Sequence, residues 1–165
     1  MVRAVSTLRR LCLVAFALAA PSLAGCLPYS QNEGDYALTP TEVMRDDCNL
    51  LSEVQGDFHL GLQVSGRVVR ADFGVQDMQL LGYFLEDGDA FTADGSVANV
   101  STTTNGEECL LDQVRVHVDA TTQCMTQFNG QLRLVYASNG VARCNCELWV
   151  RFEGVQGNTR CEEEP

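Results

Sequence analysis

Residues 57–65 read DFHLGLQVS, and the period of this stretch decides the fold. Phe58, Leu60, Leu62 and Val64 alternate with His59, Gly61, Gln63 and Ser65. A period of two places one face of a strand in a core and the other in water. The pattern continues downstream. Val114, Val116 and Val118 fall on one face of segment 110–120, and Cys144, Cys146, Leu148, Val150 and Phe152 on one face of 141–153. Further strands are expected over 67–73, 90–93, 97–101, 123–128 and 131–137, and 78–85, apolar on both faces, reads as a central strand. Asp87-Gly88, Asp94-Gly95, Asn105-Gly106, Asn129-Gly130 and Asn139-Gly140 are hairpin-turn dipeptides, because the left-handed backbone of such turns costs Gly and Asn least.

Short strands at roughly 8–12-residue spacing predict a mainly β fold of about eight strands, an antiparallel β-sandwich or a closed β-barrel. Upstream of them, Thr39 and Glu42 are placed as a capping box with Pro40 at the first helical position. Val43, Met44, Leu50, Leu51 and Val54 then recur at helical spacing, so a short N-terminal helix is expected over 40–54, stopped by Gly56. The helix and the doubly apolar strand tilt the expectation toward a filled sandwich rather than a hollow barrel.

The chain begins with Arg3, Arg9 and Arg10, an apolar run over 11–20 and a break at Pro21-Ser22. The run is about half the roughly 20 residues that a spanning helix needs, so it reads as a secretory signal peptide. The exit sequence Leu23-Ala24-Gly25-Cys26 resembles the lipobox of bacterial lipoproteins at all four positions. The resemblance covers residues 1–26. It implies removal of residues 1–25, a diacylglyceryl group on the Cys26 thiol, and an acylated amino group, with chains such as palmitate. Two or three such chains hold a membrane stably where one gives only reversible binding. Leu27, standing where an Asp would imply inner-membrane retention, implies the outer membrane of the cell envelope. Residues 26–38 then read as lipidated Cys26 with a polar tether, and 39–165 as a single β domain.

Loss of the three leader arginines leaves eight arginines and no lysine against 22 acidic residues, a net charge near −14. Such a surface repels phosphate backbones, and no nucleic-acid partner is expected. Cys12 leaves with the leader and lipid takes Cys26, so six cysteines remain: Cys48, Cys109, Cys124, Cys144, Cys146 and Cys161. An even number in an exported domain predicts three disulfides. Strand residues at i and i+2 lie about 6.5 Å apart with limited freedom to turn together, so Cys144 and Cys146 are expected to pair elsewhere. That leaves twelve of the fifteen connectivities of six cysteines. A Cys-x-Cys metal or redox site would need more soft ligands than His59 and His117 supply.

Asp87, Asp89 and Asp94 could gather oxygens for calcium, but Phe91 breaks the spacing of a calcium loop, and no metal or other cofactor is expected. His59 and His117 fall at outward strand positions without a Ser-His-Asp or His-Glu-x-x-His context, and no phosphate-cradling glycine loop occurs. No enzymatic activity is expected. Trp149, the single tryptophan, falls on the polar face of the last strand; it is either a stacking platform for a sugar or peptide or is covered by a neighbouring element such as the helix. The sequence therefore points to a lipid-anchored envelope protein with a non-enzymatic binding or structural module that takes a protein or glycan. The alternative, if the sheet closes around a lumen, is a lipocalin-like carrier of a small apolar ligand or lipid.

Overall fold

The computed structural model describes residues 31–161 except Asp87 and Asn105, and the backbone but not the side chains of Cys48 and Asp57. The leader, the lipobox, Cys26, residues 27–30 and the acidic end 162–165 lie outside the described residues.

Eight strands follow one another: β1 (Gly34–Asp46), β2 (His59–Ser65), β3 (Val68–Phe73), β4 (Met78–Phe84), β5 (Ala90–Thr104), β6 (Glu107–Cys124), β7 (Gln127–Ala137) and β8 (Cys146–Gln156). Each pairs antiparallel with the next, and β8 returns to pair with β1, so the sheet closes in sequence order as an up-and-down barrel. The tilt toward a sandwich is thereby corrected: the sheet folds on itself and leaves no edge.

Closure depends on β1, where the sequence pointed to tether and helix. Tyr36 and Leu38 alternate inward from Gly34 onward, and Pro40, Glu42, Val43 and Arg45 continue opposite β8. Pro40 stands beside a register shift between Pro40 and Glu42, the kind of bulged position in which a strand tolerates a proline. A second shift follows between Val43 and Arg45. The Thr39–Glu42 capping box is therefore part of a strand. Only the end of the expected helix survives, as α1 (Leu50–Val54) between two 3-10 turns, Asp47–Asn49 and Gln55–Asp57. Its buried Leu50 and Val54 join Phe58 and Val75 in the core cluster, on the connection between β1 and β2.

The interior is filled by the chain's own side chains. Tyr36, Phe73, Phe84, Phe91, Phe128 and Phe152 are all fully buried. Phe128 is the hub, with ring centroids 4.8 Å from Tyr36, 5.4 Å from Phe91 and 6.0 Å from Phe152. Two glycines make room for these rings. Phe128 stands opposite Gly154 and Phe152 opposite Gly130 across the β7–β8 ladder. A Cβ on Gly154 would come within 2.6 Å of the Phe128 ring, and one on Gly130 within 2.8 Å of Phe152. Asn129-Gly130, expected as a turn, is for this reason mid-strand, and the actual turn between β6 and β7 is Met125-Thr126. Asp94-Gly95 likewise lies inside β5, where a Cβ on Gly95 would meet Leu80 at 2.3 Å. The connections at 86–89, 105–106 and 138–145 do fall where turn dipeptides stood. β4 is not apolar on two buried faces: Met78, Leu80 and Phe84 point in, while Leu81 and Tyr83 are 63% and 53% exposed.

Disulfides tie both ends of β6. Cys109 bonds Cys144 in the turn before β8, and Cys124 bonds Cys161 beyond β8, with Cα separations of 5.7 and 5.8 Å. Cys146 is also disulfide-bonded, and Cys144 and Cys146 are not joined to each other, as their spacing in the sequence required.

Candidate binding surface on the outer wall

Filling the interior leaves the outer wall and the two rims to meet other molecules. In-register pairing lines up one row across five strands of the wall: Asp94 on β5 opposite His117 on β6, His117 opposite Arg133 on β7, Arg133 opposite Trp149 on β8, and Trp149 opposite Arg45 on β1. Cross-strand partners bring Cβ atoms to about 5 Å, so the row is one continuous surface. Strand alternation puts these residues outside because Val116, Val118, Leu132, Leu134, Leu148 and Val150, their sequence neighbours, are buried.

His117 sits between two carboxylates, with Nδ1 2.7 Å from Asp94 Oδ1 and Nε2 3.0 Å from Asp119 Oδ2. Only the imidazolium donates from both nitrogens, so this geometry favours the charged form. Partial burial pulls the His117 pKa down, but the hydrogen bonds to Asp94 and Asp119 and their charges outweigh it, and the net shift is upward from 6.5. Farther along the row, Glu147 binds Arg133 at 2.6 Å and Arg45 at 2.9 Å, and its side chain is only 14% exposed. Arg45 also binds Asp47 at 2.7 Å, and that hydrogen bond raises its pKa further. The bridging Glu147 fixes the two guanidinium groups on the strands either side of Trp149. Trp149 is 40% exposed, so it presents part of its indole between two cations. Beside it an open groove of about 650 Å³ is lined by Gln79, Asp94, Ser96, Arg115, His117 and Arg133.

The other sites suggested by the sequence are dispersed. Asp94 is on the wall with His117, whereas Asp89 is on the β4–β5 connection and its carbonyl accepts from the Thr122 amide at 2.6 Å. Asp87 lies outside the described residues. Among the described residues no group of three or more His, Cys, Asp or Glu side chains could hold a metal ion. His59 is exposed at the start of β2, paired with Ala37 of the neighbouring β1 and so eight residues along that strand from Arg45. The row itself was invisible in the sequence, since Asp94, His117, Arg133 and Arg45 become neighbours only through the register; the outward phase of His117 and Trp149 was the one available signal. No known protein family, no curated protein and no solved structure matches the chain.

Proposed function

We propose that this chain is a lipid-anchored envelope protein whose barrel is a non-enzymatic binding module, and that it binds a protein or glycan on the outer wall around Trp149. The filled interior carries this reading, because a barrel plugged by Phe84, Phe91, Phe128 and Phe152 leaves recognition to its outside. A half-exposed indole held between two ion-paired arginines, beside a groove of mixed charge, suits a ligand with a flat apolar face and anionic or hydroxyl groups at its edges. The anchor rests on Leu23-Ala24-Gly25-Cys26, with only seven residues between Cys26 and the start of β1 at Gly34.

Two measurements test the reading. In fractionated cells the protein should sediment with membranes, and Cys26→Ser should release it; a membrane-bound Cys26→Ser variant refutes the anchor. Trp149 is the only tryptophan, so its emission reports on the wall directly. Titration with neutral and carboxylated oligosaccharides should shift that emission, and Arg133→Ala should weaken the response; silence with both classes refutes the glycan form.

Closure of the sheet in strand order favours a second reading, a carrier of a small apolar ligand. It requires the aromatic plug to move aside. Uptake of a fluorescent fatty acid by the folded protein would support it, and no uptake would remove it.

A further inference from the structure

Four of the nine large apolar side chains exposed among the described residues lie at one end of the barrel, while Leu110 and Val141 lie at the other. Strands alternate in direction, so one rim carries the start of β1, the β2–β3, β4–β5 and β6–β7 turns and the end of β8. On it Val68 is 42% exposed, Tyr83 53%, Leu85 43% and Met125 57%. Val68 and Tyr83 are cross-strand partners, and Leu85 lies two residues beyond Tyr83 on the same face. This rim is also where the chain enters. Gln31 is 6% exposed; its Nε2 donates to the Tyr36 hydroxyl at 2.7 Å and to the Met125 carbonyl at 3.0 Å. The Asn32 amide donates to the same Met125 carbonyl at 2.8 Å, and the Tyr36 hydroxyl donates to the Asn32 carbonyl at 2.8 Å. The entry point is therefore fastened to the β6–β7 turn instead of swinging free of the barrel.

We propose that this rim is a membrane-contact surface, with Val68, Tyr83, Leu85 and Met125 seated in the interface of the bilayer that holds Cys26; the inference rests on the lipid-anchor reading. From Cys26 to the fastened Gln31 is five residues, a reach of at most about 17 Å, so acyl chains on Cys26 bring this rim, and not the opposite one, to the lipid surface. Tethering makes the contact intramolecular, and four side chains too few to bind a bilayer alone then suffice at the resulting effective concentration. Tyr83 has the apolar body and polar tip that favour the headgroup level. Glu33, Glu86 and Asp89 on the same rim are exposed, with Arg67 among them, so the surface that fits is zwitterionic rather than anionic. The wall with Trp149 then stands upright, facing away from the lipid along the barrel side.

The test uses the lipidated full chain in phosphatidylcholine vesicles whose acyl chains carry bromine just below the headgroups. In a Trp149→Phe background, Tyr83→Trp puts the sole tryptophan on the rim, and Val141→Trp puts it in the β7–β8 connection at the opposite end. The expected result is loss of most of the Tyr83→Trp emission to bromine with the Val141→Trp emission kept. Hydrogen exchange of the unsubstituted protein is the second readout: amides at 66–68, 85–86 and 125–126 should slow on vesicles relative to detergent. A protein that floats with the vesicles yet shows neither effect overturns the rim proposal while the anchor stands. A chain that carries no acyl mass and does not float overturns the anchor reading and this proposal with it. Rim amides protected equally in detergent, together with dimer sedimentation, would assign the rim to a second copy and overturn it as well.

Discussion

Gly154→Ala adds one methyl group at the most crowded point of the barrel. The new Cβ would lie 2.6 Å from Cε2, 2.7 Å from Cζ and 3.1 Å from Cδ2 of Phe128, all closer than a carbon pair tolerates. The ring cannot retreat, since Tyr36, Phe91 and Phe152 hold it from the other sides. Overpacking of this kind costs typically about 1–3 kcal/mol, while alanine recovers about 0.5–1 kcal/mol of the backbone entropy that glycine loses in a strand. The expected net destabilisation is about 1–2 kcal/mol. It is read as a fall in the guanidinium midpoint at unchanged m, by circular dichroism with the disulfides intact. Gly56→Ala, where nothing lies within 4 Å of the added Cβ, is the control and should stay within about 0.5 kcal/mol of the parent. Phe128→Leu shortens the ring side, so Gly154→Ala in that background should cost less than in the parent, with a coupling of about 1 kcal/mol. A neutral or stabilising Gly154→Ala, or strict additivity with Phe128→Leu, would show that the ring and the glycine do not depend on each other, and would refute the packing argument.

Other expectations are simpler to state. His117 has a raised pKa, so its ion pairs contribute stability that is complete below pH 6.5 and fades as pH rises through the higher folded value. At its exposed position the effect is well under about 1 kcal/mol, and His117→Gln should flatten that slope in denaturation midpoints measured from pH 5.5 to 8.5. Cys124→Ser with Cys161→Ser opens a bridge between residues 37 apart in sequence, which chain-entropy arguments value at about 4 kcal/mol, so the midpoint should fall sharply while the barrel spectrum persists; an unchanged midpoint contradicts the staple. Under non-reducing proteolysis, the peptide holding Cys109 should be linked to the one holding Cys144, and no peptide should carry a 144–146 loop.

The strand faces were legible because a half-buried strand writes its burial into alternate residues. Leu60 and Leu62, Val114, Val116 and Val118, and Cys146, Leu148, Val150 and Phe152 all point inward as their period requires. Local signals failed where a tertiary demand overrode them. The Thr39–Glu42 box lost to the need for a strand that closes the ring, and Tyr36 and Leu38, alternating just before it, were the hint. Asn129-Gly130 and Asp94-Gly95 imitate turns because their glycines admit Phe152 and Leu80. Leu81 and Tyr83 looked buried because an outward apolar residue has the same letter as an inward one. The wall site was hidden for a different reason: Arg45 and Trp149 are more than a hundred positions apart, and only the β1–β8 register makes them neighbours.

The two bridges anchored in β6 also constrain the order in which the chain can be completed. Cys109 and Cys124 leave the ribosome before their partners, yet fifteen residues of one strand hold them about 50 Å apart once β6 is extended. A bridge between these two thiols is thus forbidden by the native geometry. Correct oxidation waits for Cys144 and Cys161, which arrive with β8, the same strand that must find β1. Covalent locking and ring closure therefore share one late step. A chain shortened by its last 22 residues would lose the wall, the lock and the closure together, leaving Cys109 and Cys124 without their partners on an open sheet.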